Sequence, residues 1–275
     1  MADYKFSVAM SVYKNDRAKY VDRALKSITE EQTLQPDEVV IVFDGPIPKD
    51  VEDVVVSYAK KYVFNVIKLE KNGGLGNALK IAVEACKYDL IARMDSDDVS
   101  VADRFEQQIN AFKVDPDLDI IGGDISEFID DEKNVVSYRK VPQTDEDLKT
   151  YIKKRCPFNH VSVTFKKQAV LQAGGYLDFY WNEDYYLWIR MFENNAKTAN
   201  TGTVLVNVRV GKDMYKRRGG LKYYKSEKKL QKYMLKKKII SFPMYFANVF
   251  KRFILQVLLP NGVRGWVFKT FAREK

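Results

Sequence analysis

The first hundred residues switch between two hydrophobic periods. Phe6–Val12, Glu38–Phe43, Asn65–Leu69 and Leu90–Met94 are short, mostly apolar runs, which predict buried strands. Between them, Asp16–Glu30, Pro48–Tyr62 and Leu75–Cys86 predict helices, with Val21, Leu25 and Ile28 at helical spacing in the first. Nearly continuous apolar strands in a βαβα order imply an α/β fold: a mostly parallel, Rossmann-like sheet with helices on both faces. Ligands of such sheets bind beyond the carboxyl ends of the strands. Asp44, Asp95 and the Ser11–Tyr13 turn fall at three of those ends.

Further on, Ala102–Val114, Asp145–Lys154 and Glu183–Asn194 predict helices. Asp119–Phe128, Val161–Phe165 and Thr203–Val210 predict strands, with Gly122-Gly123 as a weak point or bulge in the first. From Gly220 the pattern changes to C-terminal amphipathic helices. Leu221–Lys238 is basic, with Leu230, Met234 and Leu235 as sparse apolar points. Ile239–Pro260 is aromatic and aliphatic, broken by Lys251-Arg252. Gly262–Lys275 sets Trp266, Phe268 and Phe271 among Arg264, Lys269 and Arg273. Aromatics interleaved with Lys and Arg suit a helix lying in a membrane interface; packing on the chain's own domain or on a partner is the alternative. The organisation expected is therefore a catalytic domain over 1–211, with halves 1–98 and 99–211, and a basic helical region over 212–275.

Charge sharpens that division. The chain of 275 residues carries +9, but Arg209–Lys275 holds 19 Lys and Arg against 3 Asp and Glu, which is +16 and leaves −7 for residues 1–208. A nucleic-acid partner for the whole chain is not expected, whereas an anionic membrane surface suits the C-terminal region. Cys86 and Cys156 form no CxxC pair and predict reduced thiols. The N-terminus shows no signal-peptide pattern, and no run of 18 apolar residues predicts a transmembrane helix.

Four constellations carry candidate chemistry. Asp95-Ser96-Asp97-Asp98 closes an apolar strand with three acids, which repel one another unless a cation sits between them. Asp95, Asp97 and Asp98 are thus candidate ligands for Mg2+ or Mn2+, with substrate phosphates completing the shell. An EF-hand is excluded, because Val99 and Ser100 replace its fifth ligand and its glycine; an acidic helix cap without metal is the plain alternative. Asn72-Gly73-Gly74-Leu75-Gly76-Asn77 lies between a strand and a helix without completing GxGxxG, and suits close approach of a nucleotide to a helix N-terminus. Asp44-Gly45 is either an ordinary turn or a carboxylate facing a base or ribose. Trp181-Asn182-Glu183-Asp184 opens a helix rich in aromatics, which suits a general base beside a stacking platform or, more simply, acids complementing a helix dipole.

In order, these segments resemble the family 2 glycosyltransferases over residues 5 to about 210, most closely the bacterial members that assemble exopolysaccharide, capsule or O-antigen. The resemblance implies a GT-A fold, a UDP-sugar donor and inversion at the anomeric carbon. It implies that Val12, Tyr13, Asp44, Asn72, Gly73, Gly74, Asn77, Arg93, Asp95 and Ser96 hold the nucleotide sugar. Asp97 would ligate the metal with Asp95 and Asp98 beside it, Asp184 would be the catalytic base, and Glu183 would support it. His160, the only histidine, is either structural, as a lone histidine more often is, or, as the resemblance implies, at the metal or the acceptor. Trp181, Arg217 and Arg218 are expected to close over acceptor or diphosphate. Phe43-Asp44-Gly45-Pro46 departs from relatives with two acids and a serine there. No Gln-x-x-Arg-Trp motif is present, so transfer of a single sugar is expected over polymerisation. The acceptor expected is a saccharide, lipid-linked, at the cytoplasmic face of a bacterial membrane; oligomers are compatible with all of this. A nucleotidyltransferase and a non-catalytic membrane scaffold are the rival readings.

Overall fold

The structure, a computed structural model, describes residues 4–211 and 219–260. Arg217, Arg218 and the aromatic segment with Trp266, Phe268 and Phe271 lie outside the described residues. One sheet runs through the molecule. Strands β1 (Phe6–Val12), β2 (Glu38–Phe43), β3 (Phe64–Lys68) and β4 (Leu90–Met94) are parallel in the order β3-β2-β1-β4. Helices α1 (Ala18–Ile28), α2 (Lys49–Ala59) and α3 (Leu75–Ala85) make the crossovers. Alternate residues of each strand point to opposite faces. Val40 and Val42 therefore join Leu79 and Val83 of α3 in one core, while Val39, Ile41 and Phe43 join Leu25 of α1 and Val55 of α2 in the other.

Beyond β4 the sheet continues through β8 (Thr164–Lys166), β6 (Ile120–Phe128), β9 (Thr198–Arg209) and β5 (Val99–Ser100), with β7 (Val135–Arg139) pairing on β6. Here β8 is antiparallel to both β4 and β6, whereas β6 and β9 are parallel. Helices α4 (Arg104–Val114), α5 (Asp145–Tyr151), α6 (Lys167–Gln172) and α7 (Glu183–Glu193) cover this half. The last described elements are α8 (Leu221–Lys236), α9 (Phe242–Phe253) and a π-helical turn, Ile254–Leu258. Leu230 and Met234 of α8 are buried in the same core as Trp188 of α7.

Several elements differ from their periodicity. The strand expected over Val161–Phe165 is a 3-10 turn at His160–Ser162 followed by β8, because Ser162 Oγ turns back to donate to Gly123 O at 3.0 Å. The strand expected from Thr203 begins at Thr198, where it pairs with Ile120. The irregularity at Gly122-Gly123 is real: a Cβ on Gly123 would lie 2.5 Å from Leu205 Cδ1. The two-residue β5, the exposed β7 and the six-residue α6 are too short or too polar to show a period.

Candidate active site

The site begins where β1 and β2 end side by side. Val12 pairs with Phe43, so Tyr13 and Asp44 follow at one edge, and the Asp44 N–H donates to Val12 O at 2.8 Å. Asp44 is buried, and its carboxylate organises the glycine-rich turn. Gly73 N–H donates to Oδ1 at 2.7 Å, Gly74 N–H to Oδ2 at 3.0 Å and Asn72 Nδ2 to Oδ2 at 2.7 Å. The fit requires glycine at two places. A Cβ on Gly45 would lie 2.6 Å from Asn72 N, and Gly74 has φ +86°. Asn77 lies over this turn: a Cβ on Gly73 would meet its Nδ2 at 2.5 Å.

The acidic loop follows β4. Arg93 is buried, and its two terminal nitrogens grip both oxygens of Asp95. Ser96 Oγ donates to Asp16 Oδ2 at 2.9 Å, and Tyr13 N–H donates to the same oxygen at 2.9 Å. Asp98 is buried, and its Oδ1 accepts from Arg209 N–H at 2.8 Å. Burial, then the charges of Asp95 and Asp16, pushes Asp97 up to about 6. Burial, then Asp97 and Asp95, holds Asp98 well above the usual carboxylate range. Burial also raises Asp16.

Across from the glycine-rich turn, α7 opens with Glu183-Asp184. A Cβ on Gly76, in the first turn of α3, would lie 3.4 Å from Glu183 Cβ, so the first turns of α3 and α7 meet. Burial, then the Asp184 charge, pushes Glu183 up to about 7. Burial raises Asp184, against the Tyr185 N–H donated to its Oδ1 at 2.7 Å. Cys156 Sγ lies 3.9 Å from Asp184 Oδ2. Two neighbouring carboxyls whose pKa values burial raises, beside the glycine-rich turn, are groups suited to proton transfer.

The aromatics of this segment divide. Tyr185 and Trp188 are core residues and offer no stacking platform, whereas Trp181 is 46% exposed, has φ +53° and stacks on Tyr180 with ring centroids 4.9 Å apart. His160 sits beneath the site, its Nε2 2.8 Å from the Tyr176 hydroxyl and its ring edge-on to Trp188. Burial, then the Arg93 charge, drives its pKa well below the ordinary value, so the imidazole is neutral.

Four participants were absent from the sequence reading. Asp16 and Tyr176 sit in no motif of their own. Arg139 reaches Cys156 O and Asn159 Oδ1 at 2.8 Å each, and its charge favours ionised Asp184. Arg209, stacked on Tyr20 at 4.0 Å, donates through Nε to Asp97 O at 3.2 Å. The Asp16 position, four residues beyond a strand end, was the one available signal.

Among the described residues no three His, Cys, Asp or Glu side chains converge as a complete metal group. Burial and neighbouring negative charge disfavour the Asp97 carboxylate, however, and a divalent cation answers the same charge. The donor set therefore fits an ion taking one or two carboxylates from the protein and the rest from phosphates, as Mg2+ and Mn2+ do at phosphate sites. His160, engaged with Tyr176, adds no third ligand.

Residues 7–173 match the family model described as glycosyl transferase family 2. The chain is 37% identical over 270 residues to an Escherichia coli UDP-Gal:alpha-D-GlcNAc-diphosphoundecaprenol beta-1,3-galactosyltransferase, covering 98% of this chain and 97% of that one. Among solved structures it resembles S. aureus TarS 1–349 in complex with UDP-GlcNAc, with a TM-score of 0.66, 19% identity, and coverage of 91% of this chain and 72% of that one. It spans 46% of the longer TarS chain. It also resembles the mannosyltransferase PcManGT from Pyrobaculum calidifontis in complex with GDP-Man and Mn2+, with a TM-score of 0.62, 16% identity, and coverage of 94% and 71%. At these identities the solved structures speak for the fold, which is GT-A.

Proposed function

The chain belongs to glycosyl transferase family 2 and is a glycosyltransferase, and from that premise we propose that it moves one sugar from a UDP-sugar to a lipid-linked saccharide, inverting the anomeric carbon, at the cytoplasmic face of a bacterial membrane. The observation that carries the reading is the meeting of Glu183-Asp184 with the first turn of α3, opposite the turn held by Asp44. Donor and acceptor thus enter from two sides of one cleft.

The residues divide the work. Asp44 fixes the Asn72–Gly74 turn, and with Val12, Tyr13 and Asn77 it shapes the floor for the nucleoside. The first turn of α3 presents its positive end to phosphate. Arg93 holds Asp95 facing the ribose, Ser96 keeps Asp16 beside it, and Arg209 fixes the backbone carrying Asp97. Asp97, with Asp95 near and Asp98 behind, would hold Mn2+ or Mg2+, which when bound supplies positive charge to the leaving diphosphate. Asp184 takes the proton of the acceptor hydroxyl, whose oxygen bonds to the anomeric carbon while the carbon–phosphate oxygen bond breaks. UDP leaves with that electron pair, and one displacement inverts the centre. Glu183, raised by the Asp184 charge, supports it as a neighbouring proton carrier, and Trp181 offers the acceptor sugar a flat apolar face.

The E. coli relative suggests the first pair to test: UDP-galactose with a lipid diphosphate carrying N-acetylglucosamine. Acceptor-dependent UDP release and a product with inverted anomeric configuration by NMR are expected. Pyrophosphate release from UTP and a sugar phosphate, or full transfer by Asp184→Asn, would overturn the reading.

A further inference from the structure

Helix α9 of the α8–α9 hairpin carries an aromatic stripe on its outer side. The helices run antiparallel, with Asn248 against Gln231 and Arg252 against Glu227. The side of α9 that meets the protein is mixed: Met244 and Tyr245 pack on the core and Phe253 meets Tyr224, while its most buried positions are polar. Asn248 Nδ2 donates to Gln231 Oε1 and to Lys153 O at 2.9 Å each, Arg252 holds Glu227 and reaches Lys154 O at 3.0 Å, and Gln256 beyond is buried. The outward side is aromatic: Phe242, Phe246 and Phe250 are 68%, 64% and 56% exposed. Spaced by four, they form one stripe, and Phe246 and Phe250 lie about 160° around the helix from Asn248. Their rings are stacked, with centroids 6.3 Å apart. A helix facing only water turns such a stripe inward; three phenylalanines left outward, in addition to those α9 packs inward, are suited to an apolar phase.

Charge selects the occupant. Residues 219–260 contain ten Lys and Arg against one acid, Glu227, which is buried under Arg252. A second copy docking through this face would set like charges against each other, whereas an anionic surface attracts them. The geometry points to α9 lying in the headgroup layer of an anionic bilayer, Phe242, Phe246 and Phe250 entering the acyl boundary and the exposed lysines of α8 meeting lipid phosphates. No described helix is long and apolar enough to cross a membrane, so this contact is interfacial.

The same hairpin is tied to the active site. Ser226 Oγ of α8 donates to Tyr180 O at 2.7 Å and accepts from Asn182 Nδ2 at 3.2 Å, on either side of Trp181. The carbonyls gripped by α9, on Lys153 and Lys154, lie just before Cys156 at Asp184. Docking would therefore set Trp181 and Asp184 in a fixed relation to the bilayer. That last consequence rests on the lipid-linked acceptor; the docking itself does not, and its test involves no sugar transfer.

The test is co-sedimentation of the full chain with vesicles of phosphatidylcholine alone or mixed with phosphatidylglycerol. Binding to the mixed vesicles that weakens with salt, and falls by about tenfold or more in Phe242→Ser/Phe246→Ser/Phe250→Ser, is expected. An unchanged thermal midpoint in that variant keeps folding out of the comparison. In a Phe246→Trp variant the emission should shift to the blue only on adding anionic vesicles. No binding by the parent chain, or equal binding by the triple variant, overturns the proposal. So does emission already blue-shifted without vesicles, which would mean that a second copy or residues 261–275 cover the stripe.

Discussion

Arg93 holds both carboxylate oxygens of Asp95 from the same side of one strand end, two residues apart. The guanidinium is only 2% exposed and Asp95 35%, so a buried cation lies beneath a half-open anion. Arg93 Nε has no hydrogen-bond partner among the described residues, which leaves Asp95 as its main compensation. Asp95→Ala should therefore lower unfolding stability by about 3 kcal/mol, the cost of stranding a buried charge. Urea denaturation of the ligand-free protein measures it; a change within error would contradict this account of the pair.

Asp44 predicts a different loss. Its carboxylate takes three donors from Asn72, Gly73 and Gly74, so Asp44→Ala leaves a turn without its acceptor. A stability loss of about 1–3 kcal/mol and at least tenfold weaker UDP binding are expected by calorimetry. Asp44→Asn, which keeps one carbonyl acceptor, should fall between.

Glu183 sets a pH dependence whose sign is fixed by its raised pKa. Between 4.5, its ordinary value, and about 7 the folded protein keeps a proton that the unfolded chain has lost. Its contribution to stability is therefore complete below 4.5 and disappears as pH rises through about 7. The thermal midpoint of the ligand-free parent protein should fall over that window relative to Glu183→Gln. Transfer should rise through the same window, as the Glu183/Asp184 pair must give up a proton to act as base. A parallel pair of midpoint curves would remove Glu183 from this role.

Asp97 separates metal binding from folding. Because burial and its neighbours disfavour its charge, Asp97→Asn should not destabilise the ligand-free protein. It should abolish any increase in UDP affinity produced by Mn2+, and chelation should remove transfer from the parent enzyme. Metal-enhanced UDP binding that survives in the variant would assign the ion elsewhere.

Trp181 is held at φ +53°, a backbone region costly for a bulky side chain, and its ring stays half in solvent. Trp181→Gly should keep or raise the thermal midpoint while raising the KM for the acceptor and leaving that for the donor unchanged. A rise confined to the donor KM would place the ring on the nucleotide side.

How much of this was legible depended on distance along the chain. The parallel strands, their carboxyl ends and the order Asp44, Asn72–Asn77, Asp95–Asp98 and Glu183-Asp184 were open to sequence reading, because burial period and strand ends are local properties. The glycine-rich segment suggested approach of a nucleotide, but only folding brought Asp44 under it as an acceptor. Aromatics around Glu183-Asp184 looked like one platform; packing sent Trp188 and Tyr185 inward and left Trp181 outside.

By itself, the sequence determined that β1, β2 and β4 are buried and which acids stand at their ends, since each follows from neighbours a few residues away, whereas β3, expected buried, is the half-exposed edge strand. Tertiary structure decided that Asp16 joins the acidic loop, that Arg139 and Cys156 flank Asp184, and that α9 turns Asn248 inward and Phe242, Phe246 and Phe250 outward. Those choices depend on partners tens of residues away, whose hydrogen bonds and charges form only when the chain closes on itself, and a local period carries no record of them.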